Sequence, residues 1–323
     1  MTTPMGSDEG ISPSLEGTVF KILGKEVSVR IDTSGGSRIL ECYLRGRLFE
    51  DGAEAETYRN QIAVGDRVEL DPVGEVKGVI HRVLPRKRAL VRLVPGKKAR
   101  LHVLAANVDQ IVIVSALVDP PYKAGLIDRY LVIAHHAGIE PALCLNKVEL
   151  GEEAAREKAR AVFSVYRSLG YPFVETSATT GAGIEELRSV LKDRRSVLVG
   201  HSGVGKSKLA GAVQPGARLS SGDVDRHGRG RHTTTASTLI GLDFGGELVD
   251  TPGVRELSIR HVNAAELARC YPEMRTWIGR CRFTSCSHVP EPGCAVKAAT
   301  EDGGIVKERY DSYRRLHAEL SGS

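Results

Sequence analysis

The 323-residue sequence predicts three domains in series: a small antiparallel β-barrel, an α/β domain with a parallel sheet, and a small, mostly helical domain around a Cys/His cluster. Three observations predict this. Up to about Leu104, short β-branched runs are separated by glycines. Between Asn107 and Arg260, apolar strands alternate with amphipathic helices. Beyond Ser258, helical segments flank three cysteines and a histidine. The expected boundaries are 1–13 for a disordered start, 14–104 for the barrel, 105–260 for the α/β domain and 261–323 for the metal-binding domain.

The barrel rests on four runs, Gly17–Phe20, Val27–Ile31, Gly65–Leu70 and Gly78–Val83. An OB-like fold is the choice among small barrels of this strand density. The α/β domain reads as a strand at Gln110–Val114, a helix at Leu126–His136 and a strand at Pro141–Leu145. It continues with a helix at Glu152–Leu169, a strand at Phe173–Thr176, a helix at Gly183–Leu191 and a strand at Ser196–Val199. The last region reads as a helix at Ala264–Arg269, the Cys/His cluster, and an amphipathic, partly basic helix at Val306–Leu320. The segment Ser221–Arg231, rich in glycine and charge, is expected to be mobile.

Composition sets the outer limits. A 41% hydrophobic and 26% charged content permits a sizeable core. The start, Met1 to Pro13, is polar and acidic, and no apolar run approaches the roughly 18 residues of a membrane span; a cytoplasmic protein with no membrane contact is expected. Net charge is only +5. Yet Arg86, Lys87, Arg88, Arg92, Lys97, Lys98 and Arg100 fall together with no acid among them, which fits either a polyanion partner or a solvated connector. Aromatic content of 5% argues against base stacking as the main mode of nucleic-acid binding.

The chemistry starts at Gly200-His201-Ser202-Gly203-Val204-Gly205-Lys206-Ser207, a G-x-x-x-x-G-K-S loop after an apolar strand. Its glycines let backbone N–H groups curl around phosphates, Lys206 neutralises β and γ oxygens, and Ser207 can ligate Mg²⁺. The helix that follows, with Lys208 in its first turn, points its positive end at the anion. Asp250-Thr251-Pro252-Gly253 follows the strand Glu247–Val249 and reads as the metal-side D-x-x-G element. There Asp250 holds Mg²⁺ through water and the Gly253 N–H senses a γ-phosphate.

Asn146-Lys147-Val148-Glu149 ends a strand and reads as a guanine signature. Its carboxylate can accept both N1–H and N2–H₂ of the base, a pairing adenine cannot offer, and the lysine stem covers the ring. Such signatures usually carry Asp where this chain has Glu149, so guanine selectivity is the point the extra methylene bears on. Thr176-Ser177-Ala178 reads as the companion loop, with the Ala178 N–H meeting guanine O6. Because the base signature precedes the phosphate loop, the nucleotide domain is circularly permuted.

In Arg231-His232-Thr233-Thr234-Thr235, Thr234, with Thr233 next in line, is the candidate second Mg²⁺ ligand from a switch loop. Val254 stands where many such switches carry a water-orienting glutamine, so hydrolysis is expected to be slow without help. His232 is the candidate for that help; a plain surface histidine is the alternative.

Cys281-x₄-Cys286-x-His288-x₅-Cys294 offers three thiolates and an imidazole, a closed tetrahedral zinc set with no position left for water, hence a structural ion. Cys42, Cys144 and Cys270 read as packed thiols.

The order of base signature, T-S-A, phosphate loop, H-T-T-T and D-T-P-G-V-R-E, preceded by a barrel and followed by C-x₄-C-x-H-x₅-C, resembles the RsgA/YjeQ family of small-subunit-dependent bacterial GTPases. The resemblance runs from about Leu15 to Leu320. It implies an OB-fold domain, a permuted GTPase domain binding GTP or GDP with Mg²⁺, and a zinc domain. It also implies a protein, expected to be a monomer, that acts on the small ribosomal subunit during late maturation. The family binds 16S rRNA and hydrolyses GTP faster when docked. The competing expectation is a GTP-dependent regulator that grips a protein or a tRNA.

Overall fold

A computed structural model describes residues 14–45, 58, 60–94, 100–217, 219, 236–252, 254 and 257–322. The expected disordered start and the expected mobile segment Ser221–Arg231 lie outside the described residues.

The first five strands are β1 (Leu15–Leu23), β2 (Glu26–Thr33), β3 (Gly36–Leu44), β4 (Arg67–Val73) and β5 (Lys77–Val83). They close in the order β1-β2-β3-β5-β4 and back to β1, with β3 and β5 parallel and the other pairs antiparallel. This is the five-stranded OB-type closure the sequence predicted. Alternation explains its core: along β2, Val27, Val29 and Ile31 point inward while Ser28, Arg30 and Asp32 point out. Val19, Leu40, Val68, Leu70 and Ile80 fill the rest.

A separate hairpin follows, β6 (Ala89–Val94) and β7 (Arg100–Ala106). The basic run, placed by sequence within the 14–104 domain, lies outside the five barrel strands. Arg86 to Arg88 lie in the connector between β5 and β6, and Arg92 and Arg100 lie on the hairpin. Lys97 and Lys98 are outside the described residues. The Arg86 guanidinium is buried against Asp66 at 2.7 and 2.8 Å, so it anchors the connector instead of offering a free cation.

The central sheet comprises β8 (Gln110–Ala116), β9 (Glu140–Asn146), β10 (Phe173–Glu175), β11 (Arg195–Val199), β12 (Ser237–Gly241) and β13 (Glu247–Asp250). Its order is β10-β9-β8-β11-β13-β12, all parallel except β12 against β13. Every residue of β8 is buried because helices cover both faces. Those helices include α1 (Ala124–His136), α2 (Glu153–Ser168), α3 (Ile184–Leu191) and α4 (Lys206–Val213). Ile111 and Ile113 face the α1/α2 side, and Val112 and Val114 face the α3/α4 side.

The C-terminal region holds a 3₁₀ helix at Ala264–Cys270, then α5 (Pro272–Arg275), α6 (Ala295–Glu301) and α7 (Lys307–Ser321). An ordinary helical segment was expected at Ala264–Arg269. The tighter form follows from Asn263, whose side chain accepts the Ala265 N–H at 3.0 Å, and from burial of Leu267 and Cys270 at the three-residue spacing that a 3₁₀ helix stacks. Val296, Tyr313 and Leu316 of this region share one continuous core with the α1/α2 face of the sheet.

Candidate nucleotide-binding site and metal centre

Parallel register brings the sequence motifs to one edge. Val197 of β11 lies beside Val249 of β13, so the next residue, Asp250, stands level with Leu198, at the mouth of the phosphate loop. Ala116 of β8 lies beside Asn146 at the end of β9, and Glu175 of β10 beside Leu145. Carboxyl ends of parallel strands are where ligands enter such sheets.

The loop's shape depends on its glycines. Gly200 and Gly205 have φ of 146° and 96°. A Cβ at Gly200 would lie 2.1 Å from the Val114 carbonyl, and one at Gly205 would lie 2.4 Å from Asn146 Nδ2. Val204 turns inward into the core, while His201, Ser202, Gly203 and Lys208 are exposed. Lys206 Nζ donates to the carbonyls of Gly200 and His201 at 2.8 and 2.9 Å, which places the ammonium across the loop. Ser207, half-buried, starts the first turn of α4.

Asn146 joins three motifs. Its buried amide donates from Nδ2 to the Val204 carbonyl at 2.9 Å, and its Oδ1 accepts from Thr176 Oγ1 at 3.2 Å and the Ala178 N–H at 3.3 Å. Base signature, T-S-A and phosphate loop therefore meet on one side chain. Lys147 adopts a left-handed conformation, φ 62°, and its ammonium donates to the Asp119 carbonyl. Val148 donates its N–H to the Thr176 carbonyl at 3.3 Å. Glu149 sits in a 3₁₀ turn, and its Oε2 is buried with no hydrogen-bond partner among the described residues. An orphaned buried carboxylate oxygen is costly, and this one fits the donors of a guanine ring. Ser177 is buried and its hydroxyl accepts the Thr180 N–H at 3.0 Å, so it shapes the turn.

On the switch side, Thr251 Oγ1 lies 3.0 Å from Ser237 Oγ, tying β12 to the segment after β13. Val254 is buried in the core, where it cannot orient water. His232, Thr233, Thr234 and Gly253 lie outside the described residues.

The four predicted metal ligands converge, their donor atoms all within 4.8 Å of one another. Cys281 and Cys294 sulfurs are 3.8 Å apart and each is 3.4 Å from His288 Nδ1. A tetrahedral zinc with Zn–S of about 2.3 Å and Zn–N of about 2.0 Å needs S···S near ~3.8 Å and S···N near ~3.5 Å. The set fits zinc, and Cys281, Cys286, His288 and Cys294 would hold it as a closed structural ion. The Ala295 N–H, at the start of α6, donates to Cys281 Sγ at 3.4 Å and ties that sulfur to the helix.

Residues the sequence did not single out fix the metal loop. Glu291 accepts from the Ser287 N–H and hydroxyl at 2.9 and 2.8 Å. Burial works to raise its pKa, but these bonds outweigh it and bring it to about 2. Tyr310 and Tyr313 of α7 donate to the carbonyls of His288 and Ser287 at 2.8 and 2.6 Å. Only the three-residue spacing of the tyrosines was readable; their partners were not. The other cysteines are packed thiols, as expected: burial pushes Cys42 and Cys270 up to about 11 and Cys144 up to about 12.

Comparison with known proteins agrees with this geometry. The RsgA GTPase family model matches residues 83–260. The chain is 41% identical over 316 residues to the small ribosomal subunit biogenesis GTPase RsgA of Pseudomonas aeruginosa, covering 98% of this chain and 88% of that one. It is 41% identical over 317 residues to the protein of the same name from Azotobacter vinelandii, with the same coverage. Among solved structures, YjeQ from Thermotoga maritima matches with a TM-score of 0.78 at 37% identity, over 96% of this chain and 99% of that one. YloQ, a circularly permuted GTPase, matches with a TM-score of 0.75 at 26% identity, over 98% of both. The permuted motif order, the shared fold and this similarity along nearly the whole chain together make it a GTP-hydrolysing member of the RsgA GTPase family.

Proposed function

We propose that this GTPase acts on the small ribosomal subunit during late maturation, docking through 16S rRNA and hydrolysing GTP faster when docked. One observation carries the nucleotide half of the reading: base signature, T-S-A and phosphate loop close on Asn146. Support for the subunit is the name of the relatives at 41% identity. In this reading Asn146, Lys147 and Glu149 hold guanine, with Thr176 to Ala178 beside it. Gly200 to Ser207 cradle the phosphates and Lys208 flanks them. Ser207 and Thr234 ligate Mg²⁺, Asp250 reaches it through water, Gly253 senses the γ-phosphate, and His232 assists the attacking water. The protein is a cytoplasmic monomer with domains at 14–104, 105–260 and 261–323. Among the described residues no helix is long and apolar enough to cross a membrane.

With Val254 in place of a water-orienting glutamine, basal turnover is slow and the subunit completes the site. The gain where an activator does so is on the order of 10⁵-fold. GTP turnover measured alone, with purified small subunits and with large subunits tests this. Stimulation by small subunits only is expected; equal turnover in all three overturns the ribosomal reading. In the same assay His232→Ala should lose the stimulated rate and keep nucleotide binding, and a normal stimulated rate removes His232 from the mechanism.

A further inference from the structure

The metal loop carries a surface that its structural role does not require. Phe283, between the ligands Cys281 and Cys286, is 43% exposed, although a phenylalanine this open to water forfeits burial that folding would reward. The Arg282 guanidinium lies 5.6 Å from the centre of its ring, and Arg280 lies 5.5 Å from the Trp277 ring. Arg269, Arg280 and Arg282 are exposed and form no ion pair among the described residues, whereas Arg309, Arg195 and Arg86 are all held by carboxylates. One cation–aromatic pair with spare positive charge thus stands between the metal ligands Cys281 and Cys286, and a second stands just before them.

Beside them runs a groove of about 360 Å³ between the Ala264–Cys270 helix and the metal loop. Cys281, Cys286 and His288 line it too and belong to the metal centre. The rest of its lining includes the exposed Phe283, Thr284, Ser285 and Arg269, the half-buried His317 and the buried Tyr313. The volume falls within the roughly 300–1,000 Å³ of small-molecule sites. No carboxylate lines it. The Thr284 and Ser285 side chains, both exposed, can donate to or accept from a base edge.

We infer that this groove receives an unpaired RNA nucleotide. The base lies against Phe283, the Thr284 and Ser285 hydroxyls meet its edge, and Arg282 and Arg269 meet the adjoining phosphates. An aromatic face beside arginines is the arrangement that takes splayed, single-stranded bases, and a duplex cannot present a base to it. An acidic peptide would use the arginines but would leave the aromatic face without a partner of matching shape. The inference deepens the rRNA reading above by naming an unpaired base as what the metal-binding region grips, and it rests on that reading for the source of the RNA.

The test is fluorescence anisotropy on the full, zinc-loaded chain with a labelled single-stranded RNA ten-mer, a duplex RNA of equal length and an acidic peptide. Phe283→Ala should weaken single-strand binding by roughly five- to a hundred-fold while duplex binding, zinc content and basal GTP turnover stay as in the wild type. Phe283→Trp should keep the affinity and Phe283→Leu should not. Wild-type affinity in Phe283→Ala, equal affinity in the Leu and Trp variants, or a peptide that displaces the RNA stoichiometrically would each overturn the inference. Failure of small subunits to stimulate the wild type would instead overturn the ribosomal reading, with the Phe283 result standing on its own.

Discussion

The barrel and the metal-binding region meet the central domain in different ways. At the barrel, β1 pairs with β12 only at Lys21 with Thr238 and Ile22 with Ser237. Arg30 of β2 and Arg195 of β11 both grip Glu247 of β13, at 2.6 and 2.8 Å, and Arg195 also donates to the Gly65 carbonyl at 2.8 Å. The barrel keeps its own core, and among its described residues only Phe20 and Ile22 of β1 and Val64 of the segment before β4 reach the central one. At the other junction the core is continuous. Arg309 of α7 is buried between Asp128 of α1 and Glu273 of α5, with Tyr166 donating to Asp128 at 2.9 Å and the Tyr271 ring 4.5 Å from the guanidinium.

Opening the second junction exposes a wide apolar core and strands buried charges; opening the first breaks a short strand pairing, a polar cluster and the smaller apolar contact that Phe20, Ile22 and Val64 make with the central core. The weaker junction is also the one beside the nucleotide loops. β12 follows the H-T-T-T segment, and Glu247 lies on the same strand as Asp250. The barrel is therefore joined to the strands that lead into the nucleotide loops, while the metal-binding region shares the core of the sheet.

The largest effect should come from removing the metal. Four donors within 4.8 Å, three of them thiols, repel or lose their order without an ion. Tyr310 and Tyr313 then lose the carbonyls they hold. Apparent stability should fall by on the order of 5 kcal/mol or more when a strong chelator strips the chain. Because the core is shared, the transition of the central domain should move with it in a thermal melt. A central transition that does not move would show the two parts to be separate units and break the comparison.

Next in size is Arg309→Ala, which leaves Asp128 and Glu273 buried without their cation. The expected loss is about 3–5 kcal/mol in urea unfolding of the zinc-loaded chain. A loss below about 1 kcal/mol would mean that water already reaches this junction, and the contrast with the barrel would vanish.

These junctions mark the limit of what the sequence disclosed. The phosphate loop, base signature and metal set were legible because each is contiguous and its spacing is fixed by local backbone geometry. Most strands and helices were legible from apolar period, but β3, the β6/β7 hairpin and β12 were not. Asp128 and Arg309 are 181 positions apart and Arg30 and Glu247 are 217 apart, so nothing local marks them as partners. Arg86 is illegible for the same reason: the sequence leaves its charge to a polyanion partner or a solvated connector, and only the fold pairs it with the buried Asp66. Nothing in the sequence marks Phe283, because exposure depends on what folds over a residue, and here much of the ring stays open.

The smallest effect tests the barrel side. Burial tends to raise the Glu247 carboxyl, but Arg195 and Arg30 outweigh it and hold its pKa below the ordinary 4.5. A carboxylate depressed in the folded state contributes stability that is complete above its unfolded value and is lost as pH falls through the lowered folded value. Glu247→Gln should therefore cost about 1 kcal/mol at neutral pH. The gap to wild type should stay level down to about pH 5 and close on further acidification, as measured by unfolding at a series of pH values. A gap that persists at pH 3 would mean that shape, not charge, joins the barrel to β13. A gap as large as that of Arg309→Ala would mean that the barrel is held as firmly as the metal-binding region, and the contrast between the two junctions would vanish.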